Sequence, residues 1–545
     1  MSYHDGAMFV RRKTFKNKDG STRTYLQLVE NVRQDGRVRQ RVVATLGRLE
    51  DLQDGRLDAL IENLARFSQS TWRRLEEQAE RLNVRWSKQW GPALIFERLW
   101  REAELDKAFE ALLEDRQLAF DVAEAVFTMV LNRLTDPCSK RGLVRQWLQG
   151  VYRPQAEQLE LHHYYRALDV LAEHKEAIED RLFARARDLF WTEVDVVMWD
   201  CTSSYFEGRG PEGLAAYGYS RDKRPDRPQL VVGVLMTRDG YPIAHEVFPG
   251  NTADKATVET VLDALKRRFH LRRVIFVADR GMVSRRILQA IEEAGMEYIV
   301  GMPLRRHRAA EAVLSQPGRY RKVNDQLQIK QVTHQGQRYV LCYNPLQAEH
   351  DRQAREAVLA HLKQRIERGQ AKDLLRNRLL ARYLKALPQG ALVVDADAVK
   401  RAARYDGKYL LRTNTDLDPE AVVRAYKDLW RVERAFRTLK SALDLRPMFH
   451  WTERRVRGHV MVCFLALVLE SLLWRKLRQQ NPGVSYDDVL HDLSQLHAVA
   501  VELDGEAYLT RTELVGQAFE AFKAVGLRPP ARVQPMPRPE TTPAG

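Results

Sequence analysis

Three acidic residues stand at positions where a carboxylate has chemical meaning. Asp200 closes the apolar run Val196-Val197-Met198-Trp199, and Asp279 closes Val274-Ile275-Phe276-Val277-Ala278. Such runs read as buried strands, and in open α/β sheets ligands gather beyond the carboxyl ends of the strands, so the two aspartates can converge there. Each taken alone reads equally well as a cap on the turn that follows. The third is Glu433, whose neighbours at helical spacing include Leu429, Trp430, Phe436 and Arg437. A carboxylate among apolar side chains is expected to be buried, which is costly unless a cation or metal compensates. The plain alternative is an ion pair with Arg437 one turn away. Three hard oxygen donors without a His or Cys cluster suit Mg²⁺ or Mn²⁺, and a pair of such ions serves in-line displacement at a phosphodiester.

Tyr426, Glu433 and Lys440 recur every seven residues, about two helical turns, so one helix face is expected to carry a phenol, an acid and an ammonium in a row. A heptad packing stripe would instead be apolar. The row therefore suits a phosphodiester held beside a metal.

These residues need a scaffold, and the hydrophobic periodicity supplies one. Over 191–303 the pattern runs strand, strand, strand, helix, strand, helix, strand. The first strand spans 194–200, a hairpin pairs 229–237 with 241–248 across Arg238-Asp239-Gly240, and a helix covers 255–269. A strand over 274–279, a helix over 284–294 ended by Gly295 and a strand over 298–301 complete a mixed α/β sheet. Residues 304–405 break this rhythm with a β-rich stretch (326–343), a long charged helix (351–387) and a short strand (391–394), and read as an insertion domain. After it, 409–412 returns to the sheet, and Pro419 opens a helix running through Lys440. The second part of the core then occupies 406–527, followed by a Pro-rich tail at 528–545.

Ahead of the core, residues 1–48 read as a β meander with turns at Lys18-Asp19-Gly20 and Gln34-Asp35-Gly36. Ten Lys or Arg face four acids through residue 46, and Arg37, Arg39 and Arg41 alternate onto one strand face. That face reads as a DNA-backbone surface or as a solvated sheet face, with equal weight. Residues 49–190 turn helical, a domain suited to DNA-end binding, with His162-His163 read as structural.

Composition narrows the partner. The 545 residues carry 88 Lys and Arg against 73 Asp and Glu, a net charge of +15 that favours a polyanion. Four dispersed cysteines form no CxxC pair, so neither a zinc knuckle nor a disulfide framework is indicated, and a reducing cytosol fits. No secretory pattern opens the sequence, and the apolar run 460–469 is too short for the roughly 20 residues that cross a bilayer, so it reads as a buried helix.

Trp199-Asp200-Cys201-Thr202-Ser203, Ala278-Asp279-Arg280-Gly281-Met282 and the stretch Tyr426 to Lys440 together resemble the DDE transposases of the insertion sequence 4 superfamily. That group's signature is Tyr, two residues, Arg, three residues, Glu, six residues, Lys. Tyr426, Glu433 and Lys440 match it, while Leu429 stands where the Arg belongs. Pro249-Gly250-Asn251 and His450-Trp451-Thr452-Glu453 add to the likeness. The resemblance implies an RNase H-like core interrupted by an insertion before its last acidic helix. It assigns Asp200, Asp279 and Glu433 to two Mg²⁺ or Mn²⁺ ions, and Tyr426 and Lys440 to the DNA backbone, with Arg280 beside them. Arg437, nearly on the face of Tyr426 and Lys440, is expected to make the phosphate contact of the missing Arg. The implied partners are the element's terminal inverted repeats, target DNA and a second copy in a dimer, in the cytoplasm of a bacterium or archaeon at the nucleoid. Two rival readings stay open: a metal-dependent nuclease of the same fold, and a non-catalytic DNA-binding repressor.

Overall fold

The computed structural model describes residues 8–16, 22–34, 37–52, 56–65, 82–114, 119–190, 196–267, 274–279, 284–304, 308–368, 377–387, 391–503 and 506–536. They divide into two compact units. One contains Met1–Trp86, Val499–Thr510 and Val533–Gly545, and the other Ser87–Ala498 with Arg511–Arg532.

In the first unit, strands Met8–Lys16, Thr22–Gln34 and Arg37–Arg48 pair antiparallel in chain order, the expected meander. Leu26 and Val29 of the middle strand are buried, while the Arg37–Arg48 strand is exposed along most of its length. The Lys18-Asp19-Gly20 turn and Asp35-Gly36 lie outside the described residues.

The second unit is organised by a nine-stranded sheet. From edge to edge its strands are Arg321–Asn324, Leu327–His334, Gln337–Tyr343, Lys408–Thr413, Glu297–Met302, Ile275–Ala278, Val196–Tyr205, Gln229–Thr237 and Pro242–Pro249. The last five form the heart. In chain order they run three-two-one-four-five across the sheet from the Pro242–Pro249 edge, with the first three antiparallel and the fourth and fifth parallel to the first. This is the mixed α/β, RNase H-like arrangement that the motifs imply.

Val196 to Trp199 and Ile275 to Ala278 are buried on both faces, which is why these strands read as continuous apolar runs. Alternate side chains enter opposite cores: Val196 and Met198 join the larger cluster, Val197 and Trp199 the smaller. Gly233 on the neighbouring strand makes room for Trp199, since a Cβ there would fall 2.1 Å from the indole.

The larger core is threaded by the 28-residue helix Glu453–Gln480. Among the described residues it is the one helix long and apolar enough to cross a membrane, with a mean hydropathy of 1.8 over its most apolar 18 residues. Yet 83% of that apolar window is buried inside the protein, as expected for the 460–469 run. Helices Val122–Thr135 and Leu161–Glu173 pack against it.

The packing redraws two expected boundaries. Helices from Gly91 to Phe190 belong to the same compact unit as the sheet, whereas the part of 49–190 up to Trp86 belongs to the other unit. The residues that would cover the Glu453–Gln480 helix lie in that earlier stretch, so neither segment buries its apolar face alone. A strand, Leu82–Gln89, also interrupts the expected helical run. Likewise, the β-rich part of 304–405 extends the main sheet instead of forming a separate body. Lys408–Thr413 pairs antiparallel with both Glu297–Met302 and Gln337–Tyr343, and an otherwise bare edge is thereby covered. The charged helix is Pro345–Glu367, with a small core of its own around Leu362 and Tyr383. His163 is structural as expected, its Nδ1 accepting the Glu160 N–H at 3.0 Å to cap the Leu161–Glu173 helix.

Gly458 marks where that helix touches the long one: a Cβ on it would lie 2.1 Å from the Leu168 carbonyl oxygen. Ala in a free helix gains about 1 kcal/mol over Gly. Here the clash dominates, and Gly458→Ala is expected to lower stability by about 1–3 kcal/mol, as overpacking does. Denaturant unfolding measures the sign, and a more stable variant would contradict this packing.

Candidate active site

Parallel pairing sets the two aspartates side by side. Val196, Val197 and Met198 stand opposite Ile275, Phe276 and Val277. Two residues farther along each chain, at the same level, come Asp200 and Asp279. Adjacent strands lie about 4.8 Å apart, so the carboxylates flank one spot. By the alternation of the strand, Asp200 shares the face of Met198, the face covered by the larger core. Asp200 is half-buried and its Oδ1 accepts the Cys201 N–H at 2.7 Å, whereas Asp279 is exposed.

Tyr426 ties the acidic helix to this point. Its hydroxyl donates to Asp279 Oδ1 at 2.7 Å. Reaching it requires Gly301 on the next strand, where a Cβ would fall 2.3 Å from the phenol oxygen. Tyr409 stacks on the other side, with ring centroids 6.2 Å apart. Asp279, Gly301, Tyr409 and Tyr426, with Lys408, line a cavity of about 270 Å³.

The expected single helix from Pro419 to Lys440 is divided. Pro419–Lys427 ends at Asp428, a turn at Asp428-Leu429 follows, and Trp430–Arg437 resumes before a π-helical turn, Thr438–Ala442. Single π turns recur at functional sites because they re-aim side chains. The seven-residue row is therefore not carried by one regular helix. Leu429, the departure from the signature, packs against the core from that turn.

Glu433 does not occupy the expected apolar surroundings. Val432, Ala435, Phe436 and Leu439 turn into the core, and Glu433 beside them is exposed. No ion pair with Arg437 forms, and Arg437 is likewise exposed with no hydrogen bond or ion pair among the described residues. The other two arginines of this helix are occupied, Arg431 with Asp428 at 3.6 Å and Arg434 over the Trp474 ring at 4.0 Å.

Lys440 meets a residue that the sequence did not single out. Its Nζ lies 2.6 Å from Asp222, a side chain 2% exposed that Arg446 also contacts. Burial pulls the Lys440 ammonium below its usual value, and the Asp222 carboxylate counters it. Asp222 sits in a loop dense with charge and without periodicity, so nothing in its local pattern marked it.

Among the described residues no three His, Cys, Asp or Glu side chains lie close enough to hold an ion, so the three carboxylates are not gathered into a cage. Like charges gathered to about 4 Å would repel by about 4 kcal/mol at an effective dielectric of about 20, a cost that a cation offsets. The two strand aspartates fit a divalent ion by register and donor chemistry, and Glu433 supplies an unpaired third oxygen donor from the helix packed on the same strand. Arg280 lies outside the described residues. Arg37, Arg39 and Arg41 are exposed on their strand in the other unit, Arg41 pairing with Glu30 at 2.7 Å.

Residues 195–469 match the family model described as the transposase DDE domain, just over half of the chain. The chain belongs to the DDE transposases. In this transposase, residues 10–79 further match the N-terminal domain of IS1634 family transposases, a family distinct from the insertion sequence 4 superfamily that the motifs resemble. Solved structures similar to it include the Mos1 transposase paired-end complex with left transposon end, at 15% identity and a TM-score of 0.15, covering 34% of this chain and 60% of that one. The Mos1 mariner paired end complex with Mn gives 14% identity and a TM-score of 0.14, covering 33% and 59%. The transposase thus spans about 60% of the length of the Mos1 chains it matches. No curated protein sequence matches it.

The Tyr426 hydroxyl has one clear structural role, holding Asp279. Tyr426→Phe is expected to reduce metal-dependent DNA cleavage by about tenfold or more, the scale of a hydrogen bond to a charged group. Gly301→Ala, which displaces the whole phenol ring, should cost at least as much, and wild-type cleavage rates for both variants would remove Tyr426 from the site.

Proposed function

We propose that this DDE transposase binds the terminal inverted repeats of an insertion sequence, cleaves the DNA ends and joins them to target DNA. Asp200, Asp279 and Glu433 are the residues that would hold Mg²⁺ or Mn²⁺, two ions in the full site. The observation that carries the reading is the register that brings Asp200 level with Asp279 on adjacent parallel strands. The motif resemblance to the insertion sequence 4 superfamily supports the roles of Tyr426 and Lys440 at the DNA backbone.

When bound, divalent ions supply positive charge to the attacking and leaving oxygens of an in-line displacement. The chain's own part is positional. Tyr426 orients Asp279 by its donated hydrogen bond, leaving the second carboxylate oxygen available. Glu433, exposed and unpaired, is free to approach the aspartates once a cation offsets their repulsion. Arg437, exposed on the same helix, offers a guanidinium to a neighbouring phosphate. Arg37 and Arg39 on the N-terminal sheet offer further backbone contacts, and a dimer would pair the two element ends in the cytoplasm of its bacterial or archaeal host. Water as nucleophile nicks a strand and a freed 3′-hydroxyl as nucleophile joins one. A plain nuclease of this fold would yield no joined product from a pre-cleaved end.

Asp200→Ala, Asp279→Ala and Glu433→Ala should each abolish cleavage of end DNA in Mg²⁺ while end binding persists, because a lost ligand leaves remote contacts intact. Product sizing beside a mobility-shift assay separates the two effects, and near-normal cleavage by any one of them would remove that residue from the metal site.

A second measurement addresses the phosphate contact. Arg437→Ala should weaken end binding and reduce the salt slope of log affinity by about 0.9, the value for one phosphate neutralised on duplex DNA. Arg431→Ala, removing a side chain already engaged by Asp428, should change the slope less. An unchanged slope for Arg437→Ala would sink the assignment.

A further inference from the structure

On a different face of the Trp430–Arg437 helix from Glu433 and Arg437 lies a cavity of about 280 Å³. The Glu453–Gln480 helix and the turn around Asp239 and Gly240 form its other walls. Glu470 is 9% exposed at this cavity. Its Oε1 accepts the Thr438 hydroxyl at 3.3 Å, but its Oε2 is buried with no hydrogen-bond partner. Burial pushes this carboxyl up to about 7, against the pull of the Arg434 guanidinium. Arg434 borders the same space, stacked over Trp474, and makes no ion pair with Glu470. An acceptor and a donor fork thus face one cavity without satisfying each other, and buried polar groups of this kind are ordinarily bonded.

A ligand that satisfies both must present adjacent donors to the carboxylate and acceptors to the guanidinium, on a body flat enough for an indole-lined space. Guanine has this pattern: N1–H and N2–H are neighbouring donors, and O6 with N7 is the edge that an Arg reads bidentately. Adenine, cytosine and thymine each place an acceptor beside their Watson–Crick donor, against the carboxylate lone pairs. Trp430, 45% exposed, contributes an aromatic surface to the same space, whose border also holds Arg431, paired with Asp428, and Arg475, paired with Asp239 at 3.2 Å.

We propose that this cavity is a guanine-binding site, in which Glu470 and Arg434 read the two polar edges of the base. The base comes either from a free guanine nucleotide or from an unpaired guanine in bound DNA, since both present the same ring. Occupancy would brace the helix that carries Glu433 from its other side.

The test titrates full-length protein at pH 8, where Glu470 is ionised, with GMP and with AMP, following tryptophan fluorescence. A parallel arm compares duplexes carrying one unpaired guanine or one unpaired adenine. Preference for guanine by about tenfold or more in either arm, the discrimination of one good bidentate contact, supports the site and identifies the source. That preference should fall below about twofold in Glu470→Gln, and in Glu470→Asp, which retains the charge but withdraws it by one methylene. Circular dichroism checks that each variant is folded. Equal affinity for guanine and adenine in both arms, no binding in either, or a preference that survives both folded variants would overturn the proposal. None of these readouts depends on strand cleavage, so the result stands apart from the assignment of Asp200, Asp279 and Glu433.

Discussion

The proposed chemistry of this protein depends on one pairing, the parallel register of Val196–Met198 against Ile275–Val277. Carried two residues beyond that pairing, the same register puts Asp200 and Asp279 level with each other on neighbouring stretches of chain. Two carboxylates held that closely repel, and the surrounding groups answer with donors: the Cys201 N–H on Asp200 and the Tyr426 hydroxyl on Asp279. Such donors orient carboxylates without neutralising them. The arrangement is thus preset in geometry and short of positive charge, the condition in which a divalent cation binds most favourably.

Everything beyond the sheet in this region serves to bring other groups to that level. The Gly301 backbone leaves space for Tyr426, and the helix that resumes after the turn at Asp428-Leu429 carries Glu433 outward and Val432 inward. The π turn then returns Lys440 toward Asp222, a nearly buried carboxylate that gathers Lys440 and Arg446 into one place. Paired in this way, neither cation is spent as a mobile surface charge. Arg437 is left unengaged on the same helix, consistent with a group waiting for an external phosphate.

The long Glu453–Gln480 helix sets the limit on how the chain can be divided. Nearly its whole apolar length is covered by protein, and the covering helices come from early in the sequence. Burial at about 25 cal/mol per Å² makes such shared apolar surface a leading source of stability. That is why the segment ahead of the sheet and the segment after it form one body, whatever the local composition of each.

The residue order by itself determined the strands of the core, since doubly buried strands must be continuous apolar runs and the hairpin turn at Arg238-Asp239-Gly240 is local chemistry. It placed Asp279 directly after its strand and carried the motifs by which the family can be read, but Asp200, expected to close its strand, lies inside one that runs on to Tyr205 because pairing with Gln229–Thr237 continues past it. The partners of Lys440 and Tyr426 were not legible, because Asp222 and Asp279 are 218 and 147 residues distant and no periodicity links them. Glu433 is exposed although its neighbours at helical spacing are largely apolar: spacing alone tells which residues neighbour it along the helix, but which side of that helix meets the core is decided by packing against the sheet and the Glu453–Gln480 helix. The same holds for the strands of 326–343, whose pattern announced β structure but whose place at the sheet edge follows from pairing with Lys408–Thr413. Local pattern determines what an element is, and only the tertiary structure, through burial and pairing across long sequence separations, decides what that element faces.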